Sequence, residues 1–189
     1  MTSAFNLVDE PWIITRTPDN QVTDVSCLLY TSPTQEVAVL RLLLAIAMRA
    51  TARERSDDEK IDDWGRWWDE GLPLDEINSY LDAWHDRFNL FDDRAPFMQV
   101  ADLRTAKGKY SGLVKIISEV SPNDKFFTTR DGRGIASLSY AEAARWLVHT
   151  HAFDVSGIKS GAVGDPRVKG GRGYPIGTCL LYTSDAADE

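Results

Sequence analysis

The residues with the most legible chemistry lie near the C-terminal end. They read Gly157-Ile158-Lys159-Ser160-Gly161-Ala162-Val163-Gly164, followed by Arg167-Val168-Lys169-Gly170-Gly171-Arg172-Gly173. Glycine lets the backbone approach a ligand closely and turn its N–H groups toward an anion. Four interleaved cations, Lys159, Arg167, Lys169 and Arg172, would neutralise phosphates with about one counterion released per contact. The spacing is not that of a Walker A loop, because no four-residue spacer precedes a Gly-Lys-Ser/Thr triplet. A solvated flexible loop explains the composition equally well. Residues 154–177 hold seven glycines and two prolines in 24 positions, so a long structured loop or a pair of loops is expected.

A second candidate runs from Phe126 to Gly134, where Phe126 and Phe127 precede Thr128, Thr129, Arg130 and Arg133. Aromatic stacking beside phosphate contact is the usual pairing for nucleic acid, although either phenylalanine also suits an ordinary strand end. The histidines offer less. His149 and His151 are two residues apart on one helix and so face apart, and His85 stands alone on an acidic segment. No cysteine or carboxylate completes a metal set, and structural roles are favoured for all three. The carboxylates Asp57, Asp58, Glu59, Asp62, Asp63, Asp69 and Glu70 lack a calcium-loop pattern and fit a solvated helix face. No nucleophile–base arrangement is visible, and no serine occupies a Gly-x-Ser-x-Gly turn. No enzyme activity, catalytic residue, metal or cofactor is therefore expected.

These groups must be positioned by a chain of 189 residues, a size that suits one domain. The net charge of −8 hides a split. Residues 1–103 carry nine Lys/Arg against twenty Asp/Glu, residues 104–178 carry twelve against six, and the last eleven add three acids. An acidic half joined to a basic segment favours a local anion-binding surface. The start lacks a basic region followed by an apolar one, and no apolar run approaches a membrane span, so a cytoplasmic protein without membrane contact is expected.

Phe5 to Arg16 suggests a strand, a turn at Pro11 and a second strand, with residues 21–25 as the hairpin partner. Thr34 is placed to cap a helix running to about Arg53 through Leu40, Leu43, Leu44 and Ala47, apolar almost all round and hence buried. Ile61, Trp64 and Trp68 share one helical face in the acidic stretch 54–76, and the tryptophans suit the core or a face toward a partner. A further helix is expected over 75–88, then a polar connection to Pro96 and a strand over 113–120. Ser139 and Glu142 form a capping box for a helix with Ala143, Trp146, Leu147 and Thr150 down one side. The fold class is α+β: an N-terminal β-hairpin, packed helices and a glycine-rich basic loop region.

Both cysteines belong to one repeated hexapeptide, Cys-Leu-Leu-Tyr-Thr-Ser, at 27–32 and again at 179–184. No flanking similarity extends it into a structural repeat. The second copy, continuing Asp185-Ala186-Ala187-Asp188-Glu189, resembles translated transposase-adapter sequence from DNA library preparation. On that reading 179–189 is a non-native tail and 27–32 a junction where native residues were lost. Disulfide and thiolate-metal chemistry then fall away.

Five pieces in order carry a family resemblance: Phe5 to Ile13, Pro33 to Ile46, Pro96-Phe97-Met98-Gln99, the Phe127 to Gly134 loop, and Gly157 to Gly173. Together they resemble the CasA family, the large subunit of the type I-E CRISPR surveillance complex Cascade. The resemblance implies a non-catalytic subunit in antiviral defence that recognises the protospacer-adjacent motif in duplex DNA. It also implies anchoring near the 5′ end of the guide RNA, contact with other Cascade subunits, and a platform for the helicase-nuclease that degrades the target. Phe127, Thr128 and Thr129, with Arg130 and Arg133 in the following turn, match the loop that anchors near the guide's 5′ handle. Gly157, Lys159, Ser160 and Gly161, with Lys169, Gly170, Gly171 and Arg172, match the glycine loop facing the motif's minor groove. Backbone approach at glycine suits that groove, whose hydrogen-bonding code is degenerate. The family is longer, so residues 1–178 correspond to an incomplete N-terminal domain, without the family's C-terminal helical bundle. The alternative is a phosphate- or nucleotide-binding enzyme domain built on 157–173. It would need a helix N-terminus after the loop, where the sequence has only Pro175 to Thr178.

Overall fold

The computed structural model describes residues 5–13, 32–52, 56–105, 107–108, 110, 112–120, 136–153 and 162–164. The expected second strand beyond Ile13, its partner at 21–25 and the tail 179–189 lie outside them.

Pro33–Ala50 forms α1. Pro33 takes the first helical turn, where a missing N–H costs nothing, so Ser32 rather than Thr34 stands at the N-cap position. Thr34 instead lies inside the helix, its Oγ1 3.0 Å from His149 Nε2. The helix ends at Thr51, whose hydroxyl donates to the Ala47 carbonyl at 2.9 Å. Only one side is covered, through Gln35, Ala38, Val39 and Ala47. Val37, Leu40, Leu44 and Met48 face outward, with Leu40 and Met48 each 55% exposed. The expectation of a fully buried helix is corrected: it packs against Leu74–Ala83 and Tyr140–Phe153, and these apolar residues stay exposed.

Asp57–Glu70 forms α2, opened by a complete capping box between Ser56 and Glu59. Ile61, Trp64 and Trp68 do share a face, but that face is open and Trp68 is 90% exposed. These tryptophans are not core residues. Trp64 packs its ring edge-on against Trp67 at 5.0 Å, and Arg66 pairs with Asp63 one turn earlier. Leu74–Ala83 forms α3, and the expected helix over 75–88 is in fact α3 followed by a 3-10 turn at His85–Phe88.

The N-terminal segment pairs across the molecule. Leu7 N–H donates to the Phe88 carbonyl at 3.0 Å and Leu90 N–H to that of Phe5 at 2.9 Å, around an antiparallel bridge between Asn6 and Asn89. Phe97 N–H donates to the Asn89 carbonyl at 2.8 Å, which sets the Phe97 ring on that of Phe88. The Gln99 side-chain amide donates from Nε2 to the Leu90 carbonyl at 2.9 Å. Leu7, Trp12, Ala38, Val39, Phe88, Leu90, Phe97, Ala144 and Val148 form the main core.

Tyr140–Phe153 forms α4. The Ser139 hydroxyl accepts from the Glu142 N–H at 3.2 Å, as the expected cap requires. The helix buries more than one side. Ala144 and Val148 enter the main core, whereas Trp146 joins Ile117 and Val120 in a second cluster. The expected strand at 113–120 is a 3-10 turn, Leu113–Lys115, followed by further tight turns. Those turns let Ile117 and Val120 both reach Trp146, which an extended strand with alternating faces would not.

Candidate nucleic-acid interface

The candidate residues Phe127, Thr128, Thr129, Arg130, Arg133, Gly157, Lys159, Ser160, Gly161, Lys169, Gly170, Gly171 and Arg172 all lie outside the described residues. What the structure supplies is the frame on either side of residues 154–161.

On the entering side, α4 runs to Phe153. Two residues before its end, His151 Nε2–H donates to the Met98 carbonyl at 2.7 Å. On the returning side, Ala162 makes an antiparallel bridge with Thr105, and Val163 N–H donates to the Arg104 carbonyl at 2.9 Å. Both flanks of the stretch therefore rest on one segment, 98–105. Gly164 follows at φ +86, a left-handed conformation that side chains rarely adopt.

That supporting segment is itself tightly shaped. Met98 and Asp102 both have positive φ, 51° and 54°, which costs a side-chain-bearing residue free energy that the surroundings must supply. Phe97, buried beside Phe88, and the Gln99 amide on Leu90 hold the segment to the main core. A sequence reading of Pro96 as the end of a polar connection missed this. The signal available was the Pro-Phe-Met-Gln quartet, in which a large aromatic follows a turn residue.

The histidines take structural positions. His149 is buried between Trp146 and Phe153 with ring centroids 5.1 Å away on each side, and this burial pushes its pKa below the ordinary value. His85 Nε2–H donates to Asp9 Oδ2 at 2.8 Å, and the Asn6 amide donates to the His85 carbonyl at 3.0 Å. The hydrogen bond to Asp9 is the main cause of a raised His85 pKa. This set ties residues 6–9 to the turn after α3. Among the described residues no group of three metal-ligating side chains comes together, and no helix is long and apolar enough to cross a membrane.

The chain is similar to proteins already known. The family model for CRISPR-associated protein Cse1 matches residues 6–184. The chain belongs to the Cse1 family. A curated relative from Thermus thermophilus, CRISPR-associated protein CasA/Cse1, is 34% identical over 168 residues, covering 82% of this chain and 32% of its own length. The crystal structure of Thermobifida fusca Cse1 aligns with a TM-score of 0.73 at 46% identity, over 91% of this chain and 34% of that one. Cse1 from Acidimicrobium ferrooxidans aligns at 0.68 and 36% identity, over 93% and 34% respectively. The chain thus spans about a third of the length of the Cse1 relatives it matches.

Proposed function

We propose that this chain is the nucleic-acid-recognising N-terminal part of a type I-E Cascade large subunit, a non-catalytic component of antiviral defence in the cytoplasm. Residues 157–173 contact the protospacer-adjacent motif in duplex DNA. Phe127, Thr128 and Thr129, with Arg130 and Arg133, anchor the subunit near the 5′ end of the guide RNA. Other Cascade subunits, and the helicase-nuclease recruited to the complex, are its protein partners.

Membership of the Cse1 family and the excess of cations over residues 104–178 support this reading. The observation that carries it is the attachment of both flanks of residues 154–161 to the segment 98–105. A segment attached at both flanks loses less conformational freedom on binding than one free at either end, so more of its contact energy appears as affinity.

The test is duplex binding by the chain and by a variant with Lys159, Lys169 and Arg172 all replaced by glutamine. The parent is expected to bind with a steep dependence on salt, and the variant to bind more weakly with a shallower one. Equal binding by both at moderate salt would remove residues 157–173 from the interface.

A further inference from the structure

Two exposed apolar faces of this chain match each other in shape, flanking charge and direction. On α1, Val37, Leu40, Leu44 and Met48 recur at the helical period and all stand in solvent. Their stripe is about 16 Å long at 1.5 Å per residue. On α2, Ile61, Trp64 and Trp68 make a second stripe, about 10 Å long and equally open. Gly65 lies between the two tryptophans on that face, and a Cβ added there would meet nothing within 4 Å among the described residues. The absent side chain leaves a notch that a branched side chain of a facing helix can enter.

The charges beside the two stripes are opposite in sign. At about 100° per residue, Arg41 and Arg49 fall on the same flank of the α1 stripe. Asp58, Asp62 and Asp69 fall on the same-handed flank of the α2 stripe, and all of these side chains are exposed. Helices in face-to-face contact bring same-handed flanks together only when they run antiparallel, because a parallel pair opposes unlike flanks. Setting Met48 opposite Ile61 and Leu40 opposite Trp68 in that direction places Leu44 at the Gly65 notch. Arg41 then faces Asp69 at one end, and Arg49 faces Asp58 and Asp62 at the other. The apolar match and the charge match use different residues and give one register.

We infer that α2 of one copy of this chain docks antiparallel on α1 of a second copy. Within one copy both faces stay open, so the match is made between copies. Burial of the two tryptophans and the facing aliphatic side chains supplies the affinity. The flanking ion pairs set direction and register, as charges beside a helix–helix seam do. The contact is heterologous, since one copy offers its α1 face and the other its α2 face. Neither face includes a residue of the nucleic-acid surface proposed above, so the two readings stand or fall separately.

The experiment follows the mass of the full 189-residue chain by analytical ultracentrifugation over a concentration series. The parent should rise from the 21.1 kDa of one copy toward larger species. An α1 variant, Leu40→Gln with Leu44→Gln, and an α2 variant, Ile61→Gln with Trp68→Gln, should each stay at single-copy mass, with far-UV circular dichroism like the parent's. Mixing the two variants should restore a species of twice that mass, because each supplies the face the other has lost. Register is read from charge reversal. Arg41→Glu should weaken self-association about 2–5-fold, the scale of one exposed ion pair. Adding Asp69→Arg to the same chain should restore it, and adding Asp58→Arg should not. A parent that stays at single-copy mass overturns the inference, as does an α2 variant that associates like the parent, which would mean that α1 packs on α1. A mixture that fails to associate overturns it too, and rescue by Asp58→Arg overturns the antiparallel register.

Discussion

Phe97 stacks on Phe88 with ring centroids 5.5 Å apart and ring planes 22° from parallel. This contact joins the Pro-Phe-Met-Gln turn to the segment that also pairs with Phe5 and Leu7. The main core thereby holds the segment on which both flanks of residues 154–161 rest.

Phe97→Ala should therefore destabilise the chain by about 3–5 kcal/mol, the usual cost of emptying a buried aromatic site. Urea unfolding followed by circular dichroism measures this. A loss below about 1 kcal/mol would mean that the turn is not anchored as described.

His85 and His149 bend the pH dependence of stability in opposite directions. His85 binds its proton more tightly when folded, chiefly through its bond to Asp9. Its contribution is fully present below the unfolded pKa near 6.5 and is lost as pH rises through the raised folded value. His149 is held below its ordinary pKa by burial. Its contribution is present above about 6.5 and is lost as pH falls through the lowered folded value. Urea midpoints across this range should show a shallow maximum near neutrality. Asp9→Asn should flatten the alkaline side and His149→Gln the acid side. Unchanged slopes in both variants would contradict these assignments.

Trp146 is fully buried and its Nε1–H finds no acceptor among the described residues. Trp146→Phe deletes that orphaned donor together with part of the ring, so the packing loss is offset by relief of an unsatisfied group. Trp146→Ala leaves a cavity with no such proportionate relief and should cost about 3–5 kcal/mol. Thermal unfolding of both variants should place the phenylalanine form close to the parent. Equal losses in the two would show that the indole N–H is satisfied in solution.

Much of this organisation is local and was legible in the sequence. Ser139 and Glu142 mark the start of α4, and the spacing of Ile61, Trp64 and Trp68 places them on one face of α2. Burial was harder to read, because it depends on what a helix packs against. The same apolar periodicity would serve a covered or an open face, and α1 and α2 each present an open one. Pairings distant along the chain left no local trace. Asn6 meets Asn89 and Thr105 meets Ala162 only through tertiary structure, so the segment 98–105 did not stand out as the support for residues 162–164.

The open face of α1 makes its own prediction. Val37, Leu40, Leu44 and Met48 form an outward apolar stripe on a core helix, the kind of patch that drives association. Leu40→Gln with Leu44→Lys should reduce self-association, measured by light scattering. Unfolding midpoints should change little, by about 0.5 kcal/mol per site, as at exposed positions generally. Unchanged association would show that the stripe is covered in solution.

Photo-crosslinking of the chain to a duplex carrying 5-iodouracil, with the linked peptides located by mass spectrometry, tests the placement of the nucleic-acid surface most directly. The linked peptides should fall within residues 154–173 and in the supporting segment 98–110. Links confined to residues 1–95, where acids outnumber cations, would contradict it.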